Sequence, residues 1–233
     1  MSTVEQNYQR VRERLNAACA NASREPDSVR LLAVSKTKPA SMVRTCYELG
    51  QRAFGENYLQ DGLDKIEALS EQTDIEWHFI GPLQSNKTRP VAEHFHWLET
   101  LDREKIARRL NEQRPDDLPP LNVLIQVNIS NEEQKSGIAT ESVTSFAQTL
   151  LSLPRLKVRG LMCIPEATSD EERLRDQFLR MHTLWQELKE LCPDADTLSM
   201  GMSSDLELAI ACGSTEVRIG TDIFGARDIP GAQ

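Results

Sequence analysis

The chain has 233 residues, of which 39% are hydrophobic, 27% charged and 5% aromatic, proportions that exclude disordered, collagen-like and membrane-spanning classes and allow a sizeable core. With 27 basic against 36 acidic side chains the net charge is −9, so there is no basic footprint for nucleic acid or for an anionic membrane surface. Any anionic ligand must be held by local groups.

The first twenty residues mix charges into every turn and lack the apolar core of a signal peptide, and no run approaches about 18 apolar residues, so a cytoplasmic protein is expected. Val4, Tyr8, Val11, Leu15 and Ala18 recur at helical spacing and predict a helix over 3–21. Beyond it, short apolar runs alternate with longer stretches of helical period, the pattern of a parallel sheet with crossover helices. The runs are LLAVSK (31–36), RAFGEN (52–57), WHFIGPL (77–83), HWLETL (96–101), NVLIQVNI (122–129), VRGLMCI (158–164), DTLSMGM (196–202) and EVRIGTDIFG (216–225). The second and fourth contain few β-branched residues.

Punctuation between the runs fixes the register of the helices. Pro39 opens one helix and Gly50 closes it, with Met42, Val43, Cys46 and Leu49 as its apolar face. Asp102 is the expected N-cap of REKIARRLNEQ, which stops before Pro115. Ser169 with Glu172 and Ser204 with Glu207 fit capping boxes, Gly213 ends the helix begun at Ser204, and the acidic DEER stretch at 170–173 is expected to be a solvated first turn. Only ARDIPGAQ follows the eighth run, too little for a last barrel helix, so the N-terminal helix is expected to cover that gap. The predicted fold is α/β, a single (β/α)8 TIM barrel with an additional N-terminal helix, spanning residues 1–233 as one domain. An open doubly wound sheet would normally show GxGxxG after its first strand, and none is present.

Barrels place reactive groups at the C-terminal ends of their strands. The first run ends in Ser35-Lys36-Thr37-Lys38, and alternation puts Leu32, Val34 and Lys36 on one face. An inward Lys36 would be a desolvated amine suited to Schiff-base formation; the plainer reading is a lysine snorkelling at a strand end. The seventh run passes through Gly201 and Ser203 into a helix, and the eighth carries Arg218, Gly220 and Thr221. Such loops bind phosphate in barrels, although ordinary turn chemistry uses the same residues. Together with Lys36 they suggest a phosphorylated aldehyde held as an imine. His94 and His96 would share a face on a strand but have no third ligand nearby, so no metal site is predicted. Cys19, Cys46, Cys163, Cys192 and Cys212 are odd in number and lack CxxC spacing, and are expected to be reduced. Trp77, Trp97 and Trp185 are too dispersed for a stacking platform.

Six ordered motifs, AVSKTKP (33–39), FGENYLQ (54–60), WHFIGPLQSNK (77–87), GLMCIP (160–165), LSMGMSSD (198–205) and VRIGTDIFGAR (217–227), closely resemble those of the pyridoxal phosphate homeostasis protein family, also called YggS or PROSC. The resemblance implies the barrel of the alanine racemase N-terminal domain and a bound pyridoxal 5′-phosphate (PLP). It implies that Lys36 forms the Schiff base, that Ser203, Gly220 and Thr221 hold the phosphate with Met202 beside it, and that Arg218 faces the pyridine nitrogen. Asn57 and His78 resemble ring-side or rim residues of the same pocket, although for His78 a hydrogen-bonded core position is an equal expectation. Lys38 and Lys135 are expected to be solvated surface lysines, or else to contact the phosphate rim or receive cofactor in transit.

An amino-acid racemase needs a second acid or base beyond the lysine, and of Tyr8, Tyr47 and Tyr58 only Tyr58 lies near a predicted strand end. The expected function is therefore a monomeric PLP carrier that supplies apoenzymes without efficient catalysis of its own. The alternative is a single-domain PLP-dependent racemase-like enzyme, and a more distant one is a cofactor-free Schiff-base aldolase.

Overall fold

The computed structural model describes residues 2–226. Residues 227–233, among them Arg227 of the last motif and most of the expected tail, lie outside the described residues, as does Met1. Eight parallel strands close into a barrel in chain order: β1 (Arg30–Val34), β2 (Ala53–Glu56), β3 (Glu76–Phe79), β4 (Trp97–Leu101), β5 (Leu121–Gln126), β6 (Leu156–Met162), β7 (Thr197–Ser199) and β8 (Glu216–Ile219).

All eight predicted runs contain a strand, and all but the fourth end earlier than the apolar pattern suggested. The pattern runs on because the strand-to-helix connections are themselves buried: Val127, Ile129, Cys163 and Met200 pack into the core beyond the last residues of their strands. The largest difference follows β8, where the expected strand over 216–225 ends at Ile219 and Thr221–Phe224 forms a single helical turn, α9.

The other helices are α1 (Val4–Asn21), α2 (Ala40–Glu48), α3 (Leu59–Ala68), α4 (Thr88–His94), α5 (Glu104–Gln113), α6 (Val143–Leu151), α7 (Glu171–Leu191) and α8 (Leu206–Ala211). As expected, α1 fills the gap in the outer ring, packing on α2, α8 and α9. A capping box between Thr3 and Gln6 starts it, and its Tyr8, Val11, Leu15 and Ala18 are buried. Three other caps differ from expectation. Asp170, not Ser169, caps α7, accepting from the N–H groups of Glu172 and Arg173. At α8, Asp205 occupies the N-cap and its carboxylate accepts from Met202 N–H instead, while Glu207 turns to Arg14. Asp102 leaves the N-cap of α5 to Arg103 and accepts from Gly137 N–H at 2.9 Å. At α5 and α8 the carboxylate serves a loop amide rather than the predicted helix end.

Alternate strand residues pack outward: Leu31 and Ala33, Trp77 and Phe79, Val123 and Ile125, Leu198, Val217 and Ile219 join the core shared with the helices. The opposite face of each strand lines the barrel, where Trp97, Leu124 and Met162 form a separate apolar cluster. The guanidinium groups of Arg30 and Arg159 each lie 4.6 Å from the centre of the Trp97 ring. Gly160, at φ +145, accompanies a register shift between β5 and β6, and a Cβ there would overlap the Thr197 carbonyl of β7. All five cysteines are buried free thiols. No helix among the described residues is long and apolar enough to cross a membrane.

Candidate functional site

The ends of β7, β8, β1 and β2, consecutive neighbours in the closed sheet, form one arc of the barrel's C-terminal mouth. Lys36 stands two residues beyond Val34, half-buried, in a turn rather than on the strand. The register Ala33↔Ile219 sets the end of β8 beside it. Gly220 follows, and a Cβ there would stand 3.2 Å from the Val34 carbonyl, so a side chain would crowd β1. Thr221 begins α9, whose first amides have no intrahelical acceptors. From β7 the chain continues through Gly201 to Met202 and Ser203; Met202 is exposed and Ser203 half-buried. Asn57 lies one residue beyond β2, and its Oδ1 is a buried acceptor without a donor.

Lys36, Asn57, Met202, Ser203, Gly220 and Thr221 are thus gathered over one arc of the mouth, and Arg218 lies just below them on β8. His78 is not among them. It lies inside the barrel on β3, fully buried and stacked on Trp97 with ring centres 4.9 Å apart. Burial lowers its pKa, favouring the neutral ring.

A buried polar chain links His78 to the mouth. His78 Nδ1 lies 2.8 Å from Glu99 Oε1, and Ser199 Oγ donates to Glu99 Oε2 at 3.0 Å. Arg218 Nη1 donates to Ser199 Oγ at 2.7 Å, while its Nη2 donates to the Cys163 carbonyl at 2.9 Å. The guanidinium is therefore locked from β7 and from the end of β6. Below it Glu216 is completely buried, with Oε2 accepting from Arg30 at 3.2 Å and Oε1 unpartnered. Burial, reinforced by the neighbouring Glu99 carboxylate, pushes the Glu216 pKa up to about 8. His78, Glu99 and Glu216 bring ligand-type atoms within 4.8 Å of one another, but Arg30 already supplies a cation to Glu216.

The other lysines and histidines singled out in the sequence occupy different settings. Lys38 is buried, not solvated, and donates to the Ala226 carbonyl at 2.6 Å. Lys135 is paired with Glu132 at 2.6 Å and donates to the Pro165 carbonyl. His94 ends α4 and His96 Nδ1 accepts from Trp77 N–H, so the pair does not share a strand face. Sequence reasoning missed Glu99, Ser199 and Glu216. Their signal was present, because strand alternation sets each on the face opposite a buried apolar neighbour, Leu98, Leu198 or Val217.

The family model described as alanine racemase, N-terminal domain, matches residues 2–228. Proteins named pyridoxal phosphate homeostasis protein match throughout: that of Pasteurella multocida is 54% identical over 229 residues, covering 97% of this chain and 98% of the relative. The Escherichia coli protein of the same name is 54% identical over 230 residues, covering 98% of each. The chain belongs to the pyridoxal phosphate homeostasis protein family. This is the family the six motifs resemble. Among solved structures, PipY of Synechococcus elongatus with PLP bound is similar to this member of the family at a TM-score of 0.78 and 35% identity, covering 91% of this chain and 100% of PipY.

Proposed function

We propose that this chain binds PLP in the mouth above β7, β8, β1 and β2, attached to Lys36 as a Schiff base, and supplies it to apoenzymes without efficient catalysis of its own. The observation that carries this reading is the convergence of Lys36, Arg218, Gly220, Thr221 and Ser203 on adjacent strand ends, in a chain 35% identical to a protein solved with PLP bound. When bound, the cofactor supplies an aldehyde that condenses with an amine, a C=N bond forming to Nζ as water leaves, and a ring that withdraws electrons.

The residues present fit the parts of that molecule. Lys36 is the amine. The hydroxyls of Ser203 and Thr221 and the amides beside Gly220 suit a phosphate, with Met202 alongside. Asn57 Oδ1 awaits a donor. Arg218 is a permanently protonated donor, so it keeps a facing ring nitrogen unprotonated and the ring a weaker electron sink. His78 acts at one remove, through Glu99 and Ser199, on the aim of Arg218.

Proton movement at a substrate carbon needs a second acid or base. Tyr8 donates to Gln51 and Tyr47 to Asp74, both next to the N-terminal ends of strands, away from the mouth. The Cys163 thiol, pushed up to about 12 by burial, stays protonated. Tyr58 alone of the tyrosines stands at the mouth, exposed at the N-cap of α3. The same reading takes the chain as one cofactor-binding domain, monomeric and cytoplasmic. The test is to mix the PLP-loaded protein with an apoenzyme and a trap for free PLP. Reactivation that survives the trap is expected; reactivation abolished by it, or a protein that takes up no PLP, contradicts the reading.

A further inference from the structure

Both neighbours of Lys36 are held by a second buried cluster, separate from the Arg218 chain. Before it, Ser35 is fully buried; its Oγ donates to Glu56 Oε1 at 2.6 Å and its carbonyl accepts from Lys65 Nζ at 2.5 Å. After it, Thr37 N–H donates to Asp61 Oδ2 at 2.8 Å, and the same oxygen accepts from Lys65 Nζ at 3.0 Å. Lys65 also donates to Glu56 Oε1 at 2.8 Å.

Lys65 is only 3% exposed, and its three N–H donors meet three acceptors, so none remains for a ligand. Two of those acceptors belong to Ser35 and to the carboxylate that holds Thr37. Thr37 itself sits at φ +62, a left-handed conformation that a β-branched residue adopts only where its surroundings impose it. One turn of α3, carrying Asp61 and Lys65, therefore fixes the backbone on both sides of Lys36.

We propose that Lys65, acting through Ser35 and Asp61, is the positioning residue that aims Lys36 for covalent attachment of the cofactor aldehyde. The proposal rests on the reading of Lys36 given above. Without Lys65, Ser35 loses a carbonyl partner, Asp61 loses its cation, and Thr37 is free to relax toward an ordinary φ, carrying the Lys36 backbone with it. A displacement of roughly 1 Å at a reacting group costs up to about a hundredfold in rate.

The test compares wild type and Lys65→Met in two measurements. The first is the rate at which added PLP is captured on Lys36, followed by its absorbance and by borohydride trapping with peptide mapping. The second is the affinity for pyridoxine 5′-phosphate, which has the ring and phosphate but an alcohol in place of the aldehyde. Lys65→Met is expected to slow capture at least about tenfold while leaving the affinity for the alcohol within about twofold. Capture at the wild-type rate overturns the proposal, as does an equal loss of capture and of alcohol binding. A wild-type protein that captures nothing removes the reading of Lys36 and the proposal with it, whereas normal wild-type capture with an unaffected variant removes the proposal alone. Should Lys65→Met fail to fold, Asp61→Ala, at a partly exposed position, decides by the same two measurements: capture slowed severalfold supports the proposal and unchanged capture overturns it.

Discussion

Glu216→Gln tests the buried chain beneath the mouth through its linkage to pH. Glu216 is completely buried beside Glu99, and its pKa is raised from the ordinary 4.5 to about 8. Because the folded-state value lies above the unfolded one, the unfolded chain releases this proton first, and stability falls as pH rises through the window between them. The interval from 4.5 to about 8 corresponds to roughly 5 kcal/mol once both states are ionised. Glutamine does not titrate, keeps an oxygen for Arg30 and offers Glu99 an N–H donor. Relative to wild type, Glu216→Gln is therefore expected to gain less than about 1 kcal/mol near pH 5, about 3 kcal/mol near pH 7 and between about 4 and 5 kcal/mol near pH 9. Urea unfolding of both proteins at the three pH values gives the difference directly, with other titrating groups cancelling. A difference that does not grow with pH would show instead that Glu216 is ionised in the folded barrel.

Arg14 of α1 reaches the loops at the mouth: it donates to the Ser203 carbonyl at 2.6 Å, to both oxygens of Glu207 and to Asp222 at 3.2 Å. In a trans peptide the carbonyl of Ser203 and the N–H of Ser204 point in opposite directions, so this bond also aims the amide. Arg14→Ala is expected to weaken PLP binding about tenfold, the equivalent of one charge-assisted hydrogen bond, and to leave binding of unphosphorylated pyridoxal within about twofold; titration of the two ligands checks this, and equal losses would contradict it. Gly160→Ala should cost more than about 3 kcal/mol, since a Cβ at that positive φ meets the backbone of β7. A urea midpoint close to wild type would mean that the bulge between β5 and β6 is more adaptable than its geometry implies.

The strand count, the role of α1 and the sector that holds Lys36, Gly220 and Thr221 were legible in the sequence because they depend on periodicity and on strand-end position. Helix starts were less so. A carboxylate such as Asp102 or Asp205 chooses between a helix amide and a loop amide by tertiary position, and the loop won at both. His78 could be placed on a strand, but whether it stood at the rim or in the interior depended on Glu99 and Trp97, which only the closed barrel brings to it. Neither Lys38 nor Lys65 carries a local sign of burial in a charged chain. Their burial depends on acceptors far away in sequence, the Ala226 carbonyl for Lys38 and the Ser35 carbonyl for Lys65.

The proposed function depends above all on Lys36 as the attachment point. The direct measurement is to incubate the protein with PLP, reduce with borohydride, digest, and locate the added mass by peptide sequencing in a mass spectrometer. Stoichiometric modification at Lys36 is expected, with Lys38, Lys65 and Lys135 unmodified. An adduct spread over several lysines, or confined to one other than Lys36, would contradict it.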